Sequence, residues 1–161
     1  MIKPIVDSRE HSYIRTALLK YNWAQQALSA GDYLFNSAQH SEQVCITRKT
    51  IEDLLSSMHS GFGNQLEEML NLYDKNIILL EGKWSCITDI HLKRRLVTSQ
   101  GVNYHYTWNM VWNFLRTWQD RGFTIEITLS MRHTVDRILS LYEYYQKPEH
   151  TGCVKEKYGK H

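Results

Sequence analysis

Residues 31–53 read GDYLFNSAQHSEQVCITRKTIED, and the fold is decided there. Gly31 turns the chain into Tyr33-Leu34-Phe35, an apolar run of strand length. A polar connection from Asn36 to Ser41 leads into Gln43 to Lys49, where β-branched Val44 and Ile46 predict a second strand paired with the first as a hairpin. Thr50 then has the character of a helix N-cap. Asp53, three residues on, completes a variant of the capping box, so a helix starts here and runs to about Met58. Side chains alternate along a strand, so Thr47 and Lys49 share one face while Arg48 points to the other. If the hairpin pairs, Asp32 lies beside Thr47 and Lys49.

Working outward, Ile2 to Val6 is a short apolar run that predicts a buried strand. Ile14, Ala17, Leu18 and Tyr21 recur at helical spacing and predict a helix over about 11–20, and Trp23 to Leu28 predicts a short strand. Downstream, Ser60-Gly61-Phe62-Gly63 breaks the helix. A second helix follows from Asn64 to Tyr73, with Leu66, Met69, Leu70 and Tyr73 on one face. Ile77-Ile78-Leu79-Leu80 is the continuous apolar run of a strand buried on both faces, and Gly82 ends it. Residues 83–105 carry no clear period. Trp108 to Asp120 predicts a helix stopped by Gly122, and Thr124 to Leu129 predicts a strand. Met131 to Gln146 predicts a last helix with Val135, Ile138, Leu139 and Tyr142 inward. A hairpin followed by strands separated by helices implies an α/β fold, a central mixed β-sheet flanked by helices.

The 161 residues suit one domain, expected over 1–148, with a polar basic tail at 149–161. With 42% hydrophobic and 22% charged residues, the composition is that of an ordinary globular chain and excludes general disorder. A net charge of +2 neither demands nor excludes nucleic acid, so local clusters matter more. Lys93-Arg94-Arg95 is one basic cluster, and Lys155, Lys157 and Lys160 make a basic tail. Three cysteines at wide spacing (Cys45, Cys86 and Cys153) argue against a disulfide framework and for a reducing compartment. No zinc-type ligand spacing occurs, and no apolar stretch approaches membrane-spanning length. The expectation is a soluble intracellular protein with no membrane partner.

Three segments bring charge to strand ends: Val6-Asp7-Ser8-Arg9-Glu10, Gly31-Asp32-Tyr33 and Thr47-Arg48-Lys49. Acids and a lysine converging from neighbouring strands can hold Mg²⁺, which prefers oxygen ligands, and can stabilise charge on a phosphate. Each segment alone reads more simply as a turn or a solvated edge. Together, VDSRE, GDY and TRKTIED resemble the signature of the XPF, Hef and Mus-type structure-specific nucleases: V-D-x-R-E, then G-D, then E-R-K-x-x-x-D. The likeness continues through DLLSSM, GFGNQLEEM and IILLEG to TIEITLSMRHTV, covering about residues 2–147.

The resemblance implies a restriction-endonuclease-like core and a Mg²⁺-dependent endonuclease, with Mn²⁺ as an alternative ion, that cuts flap, fork or other branched DNA in repair or recombination. It also implies a homodimer, and a cytoplasmic location in a bacterial or phage setting or a nuclear one in a eukaryote. By position, Asp32 matches a metal ligand, and Asp7, Arg9 and Glu10 line the same site. Arg48 and Lys49 match the basic pair. Asp53 matches the last acid of the motif and equally serves the helix cap. Arg9 equally serves as an ion-pair partner holding Asp7.

The chain departs from the pattern at Thr47, where the family carries glutamate. A neutral hydroxyl removes one negative charge and weakens a Mg²⁺ site. Three readings stay open: a site that is active through Thr47, one completed by another acid (Glu52, Glu10 or Glu42), or a degenerate pseudonuclease that binds DNA or serves as a dimerisation module. Of the replacement acids Glu52 is nearest the motif, giving a metal set of Asp32, Asp7 and Glu52. As a plain feature of the first helical turn, Glu52 needs no such role. The helicase and helix-hairpin-helix companions usual in the family are absent from the sequence. The DNA-binding surface is therefore expected at Lys93, Arg94 and Arg95, beside Trp84, Tyr104, Tyr106 and Trp108.

Overall fold

The computed structural model describes residues 3–38 and 41–147. Ile2 and the basic tail lie outside them. The chain runs β1 (Ile5–Asp7), α1 (Ser12–Leu19), β2 (Ala24–Gln26), β3 (Tyr33–Asn36), β4 (Gln43–Thr50), α2 (Ile51–Ser57), α3 (Phe62–Leu72) and β5 (Lys75–Glu81). It continues with β6 (Ser85–Thr88), β7 (Arg94–Thr98), β8 (Gly101–Thr107), α4 (Trp108–Asp120), β9 (Phe123–Thr128) and α5 (Met131–Gln146).

Six strands form one mixed sheet in the order β2-β1-β3-β4-β5-β9. The β3–β4 hairpin is antiparallel with Tyr33 opposite Ile46, and β5 is parallel to both β4 and β9. The apolar run in β5 is thus central and buried on both faces, as its composition requires. On one face Val44, Ile46, Ile77 and Leu79 pack against Ile14 and Leu18 of α1 and Val135, Ile138 and Leu141 of α5. On the other, Cys45, Ile78 and Leu80 pack against α2, α3 and α4 through Leu54, Phe62, Leu66, Met69, Val111 and Leu115. The alternation in β4 that divides these cores also sends Thr47 and Lys49 to the α2–α3–α4 face and Arg48 to the α1–α5 face.

Three expectations change. Residues 85–107 are not formless but make a separate antiparallel sheet, β6-β7-β8, which contacts α4. The break at residues 60–63 is only a tight turn, and α3 starts at Phe62 with Gly61 as its cap. Tyr21 does not line α1: the helix ends at Leu19, Asn22 takes a left-handed φ of 67°, and Tyr21 is 62% exposed.

Candidate functional site

Asp32 sits immediately before β3, just after Gly31, whose φ of 79° favours glycine. A Cβ there would stand 2.2 Å from the Cys45 sulfur, so the two strands could not close as they do around a larger residue. The Asp32 N–H donates to the Ile46 carbonyl (2.8 Å), and the Asp7 N–H donates to the Asp32 carbonyl (2.8 Å). Three strands therefore converge on this residue through backbone bonds alone.

The Asp32 Oδ2 accepts from the Thr47 hydroxyl (3.0 Å) and from the Arg48 backbone N–H (2.7 Å). Gln65 of α3 donates its amide to Thr47 Oγ1 (3.2 Å), so this fully buried hydroxyl is engaged from both sides. Lys49 emerges on the same face with its ammonium 5.0 Å from the centre of the Phe62 ring, a cation–π contact. Arg9, Gly31, Asp32, Lys49 and Gln65 border an open pocket of about 280 Å³. Burial pushes the Asp32 carboxyl up to about 6. The Glu10 charge adds to the rise, while the Arg48 N–H, the Thr47 hydroxyl and the Lys49 charge oppose it.

The remaining acids of the expected site are engaged elsewhere. Asp7 is gripped by Arg9 Nε (2.9 Å) and Nη2 (2.9 Å) and by the N–H groups of Arg9 (2.7 Å) and Leu28 (2.7 Å). The Arg9 side chain, with the Leu28 N–H behind it, holds the Asp7 carboxyl down at about 2. Glu10 lies on the opposite face, accepting from the Tyr33 hydroxyl and pairing with Arg48 at 3.2 Å. Arg48 also pairs with Glu81 at 2.7 Å, and Glu81 accepts from Thr134. Burial works against the Arg48 charge, but the bonds to Glu81 and the two facing carboxylates more than offset it and raise its pKa.

Glu52 accepts from Ser99 (2.7 Å) and borders a separate cavity of about 520 Å³ between α2 and the β7–β8 hairpin. That cavity is larger but brings together no second acid and no lysine or arginine. Glu42 pairs with Lys75 (3.3 Å). Asp53 is exposed in the first turn of α2, where its N–H donates to Thr50 Oγ1 (3.1 Å), so the cap exists. Asp32, Asp7 and Glu52 do not come together. Among the described residues no group of three or more His, Cys, Asp or Glu is placed to hold a metal ion.

Of the expected DNA-binding cluster, Lys93 and Arg94 are exposed, whereas Arg95 is committed to Asp89 (2.7 Å) and the Tyr104 carbonyl (3.0 Å). Trp84, Trp108 and Trp112 pack on one another at 5.1–6.0 Å and against the core.

Sequence reasoning missed Gln65, Phe62, Glu81 and Thr134. Phe62 and Gln65 carry a readable signal: three apart at a helix start, they share a face. Glu81 carries a weaker one, a lone acid ending an apolar strand.

A family model described as the ERCC4 domain matches residues 6–141. Among solved structures, XPF from Aeropyrum pernix aligns with a TM-score of 0.65 at 20% identity, covering 89% of this chain and 64% of that one. XPF from Aeropyrum pernix in complex with DNA aligns with a TM-score of 0.66 at 21% identity, covering 96% of this chain and 70% of that one. No curated protein sequence matches. At this identity the structural likeness speaks for the fold, a restriction-endonuclease-like α/β core of the XPF type. The family match runs from β1 into α5 and takes in all three segments that meet around Asp32: the chain belongs to the ERCC4 domain family.

Proposed function

We propose that the chain is a DNA endonuclease domain that acts on branched DNA, with the pocket at Asp32, Thr47 and Lys49 as its cleavage site. The observation that carries this reading is the meeting of Asp32 and Lys49 at one open pocket, from segments that correspond to the family's motif. The DNA complex of XPF from Aeropyrum pernix supports DNA as the ligand.

The residues at the pocket fit a divalent ion only in a largely hydrated form. Mg²⁺ accepts one or two carboxylates and keeps waters for its other positions. Asp32 offers one carboxylate, whose Oδ1 receives no hydrogen bond among the described residues, with Thr47 beside it. When bound, Mg²⁺ or Mn²⁺ would supply an acidified water and draw charge off the phosphate. The protein's own part is to hold Asp32 through Thr47 and the Arg48 N–H, and to offer the Lys49 ammonium to the phosphate. The homodimer belongs to the same reading. Among the described residues β9 is an edge strand of the sheet, and Ile127 (42%) and, just past the strand, Leu129 (56%) are exposed.

One observation favours a second reading. Thr47 donates its hydroxyl to Asp32, so a neutral donor stands where the motif places a carboxylate. A chain built this way binds branched DNA without cutting it. The deciding experiment incubates labelled 3′-flap, splayed-arm and duplex DNA with Mg²⁺ or Mn²⁺ and compares the native chain with Asp32→Ala and Thr47→Glu. Metal-dependent cutting that is lost in Asp32→Ala carries the first reading. Binding without cutting, with cutting gained by Thr47→Glu, carries the second. Cutting at full rate in Asp32→Ala removes the pocket from both.

A further inference from the structure

The β6–β7 hairpin ends in a tip where large apolar side chains stand in water. Ile90 is 92% exposed and Leu92 is 85% exposed, the highest values among the large hydrophobic residues described. The backbone beneath them is tightly tied. Asp89 Oδ1 accepts from the N–H groups of His91 (2.8 Å) and Lys93 (2.9 Å), and its Oδ2 accepts from Arg95 Nε (2.7 Å). The Asp89 N–H reaches the Lys93 carbonyl, and the Leu92 N–H reaches the Asp89 carbonyl. Leu92 is held at a φ of 59°, a conformation uncommon for a residue with a bulky side chain. An ordered turn of this kind needs no isoleucine or leucine at its tip, since polar residues would satisfy it equally and without exposing apolar surface.

What the tip fits follows from size and charge. A stable protein partner buries roughly 800 Å² on each side, far more than two side chains offer. An apolar wedge between base steps uses only one or two side chains, with cations beside them for the phosphates. Lys93 and Arg94 flank the tip and are exposed, and the nearby acid, Asp89, is already neutralised by Arg95. The small sheet also stands on the face that carries the pocket. Leu96 of β7 shares a core with Ile51 and Leu54 of α2, the helix that follows directly on the end of β4 where Lys49 sits.

We propose that Ile90 and Leu92 form a wedge that inserts between base steps where a duplex opens into single strands, with Lys93 and Arg94 on the flanking phosphates. This rests on the DNA reading above and adds to it a residue-level basis for choosing branched substrates. The test uses the full chain and a splayed-arm DNA with 2-aminopurine as the last paired base, read by fluorescence beside a gel-shift titration. The native chain is expected to unstack that base and raise its fluorescence about twofold or more. The double variant Ile90→Ser, Leu92→Asn is expected to bind in the titration without the rise; asparagine suits the left-handed backbone at 92. Lys93→Ala with Arg94→Ala is expected to weaken binding and flatten its salt dependence by about one unit of slope per lost contact. Binding with no fluorescence rise, or a rise that survives in the double variant, overturns the wedge and leaves the DNA reading intact. No binding to any DNA overturns both. Vesicles of phosphatidylcholine and phosphatidylglycerol form a last arm: a tip-dependent association with them, without unstacking of the junction base, assigns the tip to a lipid surface and overturns the wedge.

Discussion

Without the guanidinium of Arg48, Glu10 and Glu81 would both lose their ion-pair partner in a buried setting. Arg48→Met is therefore expected to destabilise the fold by about 3–5 kcal/mol, read as a lower denaturant midpoint at unchanged slope. Asp32 behaves in the opposite sense. Its folded value of about 6 lies above the 3.8 of a free aspartate, so its contribution is present below about 4 and lost as pH rises through 6. Asp32→Asn is expected to stabilise the metal-free protein at pH 7 by on the order of 1 kcal/mol, tempered because the carboxylate borders a wet pocket. That gain should vanish at pH 4, and thermal melts at the two pH values check it. Asp7, held near 2, contributes stability that is present at neutral pH and lost only as pH falls from about 4 toward 2. At this scale the splitting of Arg48 from Lys49 was legible because strand alternation dictates it, and the pairing of Asp32 with Thr47 because the β3–β4 hairpin was legible. The direction of Glu10 was not, because it follows the turn after β1 and depends on Tyr33 and Arg48, far along the chain.

The cap of α2 separates two roles that the sequence leaves together at Asp53. Thr50 accepts the Asp53 N–H, whereas the Asp53 carboxylate is exposed in the first turn. Thr50→Ala is expected to cost about 1 kcal/mol. Asp53→Asn is expected to cost only about 0.3–1 kcal/mol through the helix dipole. A loss of DNA cleavage in Asp53→Asn without a matching loss in a urea melt would give the carboxylate a part in the motif beyond the cap. Strands β3, β4 and β5 of the large sheet were legible because they are buried on one face or both, which leaves an apolar pattern in the sequence. The small sheet was not, and its burial says why: Leu96 is the only buried residue between 83 and 107. A register shift between Arg95 and Leu96 further breaks the alternation that would have marked β7.

Over the whole molecule, stability should follow this difference in burial. From Asn76 to Glu81 every residue of β5 is buried, and both edges of the strand are paired, whereas β6 is an outer strand with no buried residue. Amide hydrogen exchange is expected to be slowest in β5 and faster by orders of magnitude in β6. Equal protection in the two would mean that the small sheet unfolds only with the whole. The order of the strands also bears on how the chain leaves the ribosome. Asp7, Asp32, Lys49 and Gln65 all emerge before β5 does, but β5 gains its second neighbour only when Phe123–Thr128 appears, and α5 covers Ile77 and Leu79 later still. During that interval an apolar strand presents an open hydrogen-bonding edge, the template on which nascent chains aggregate. A translational stall before residue 123 would thus yield a fragment that holds every residue of the pocket in the form most prone to self-association.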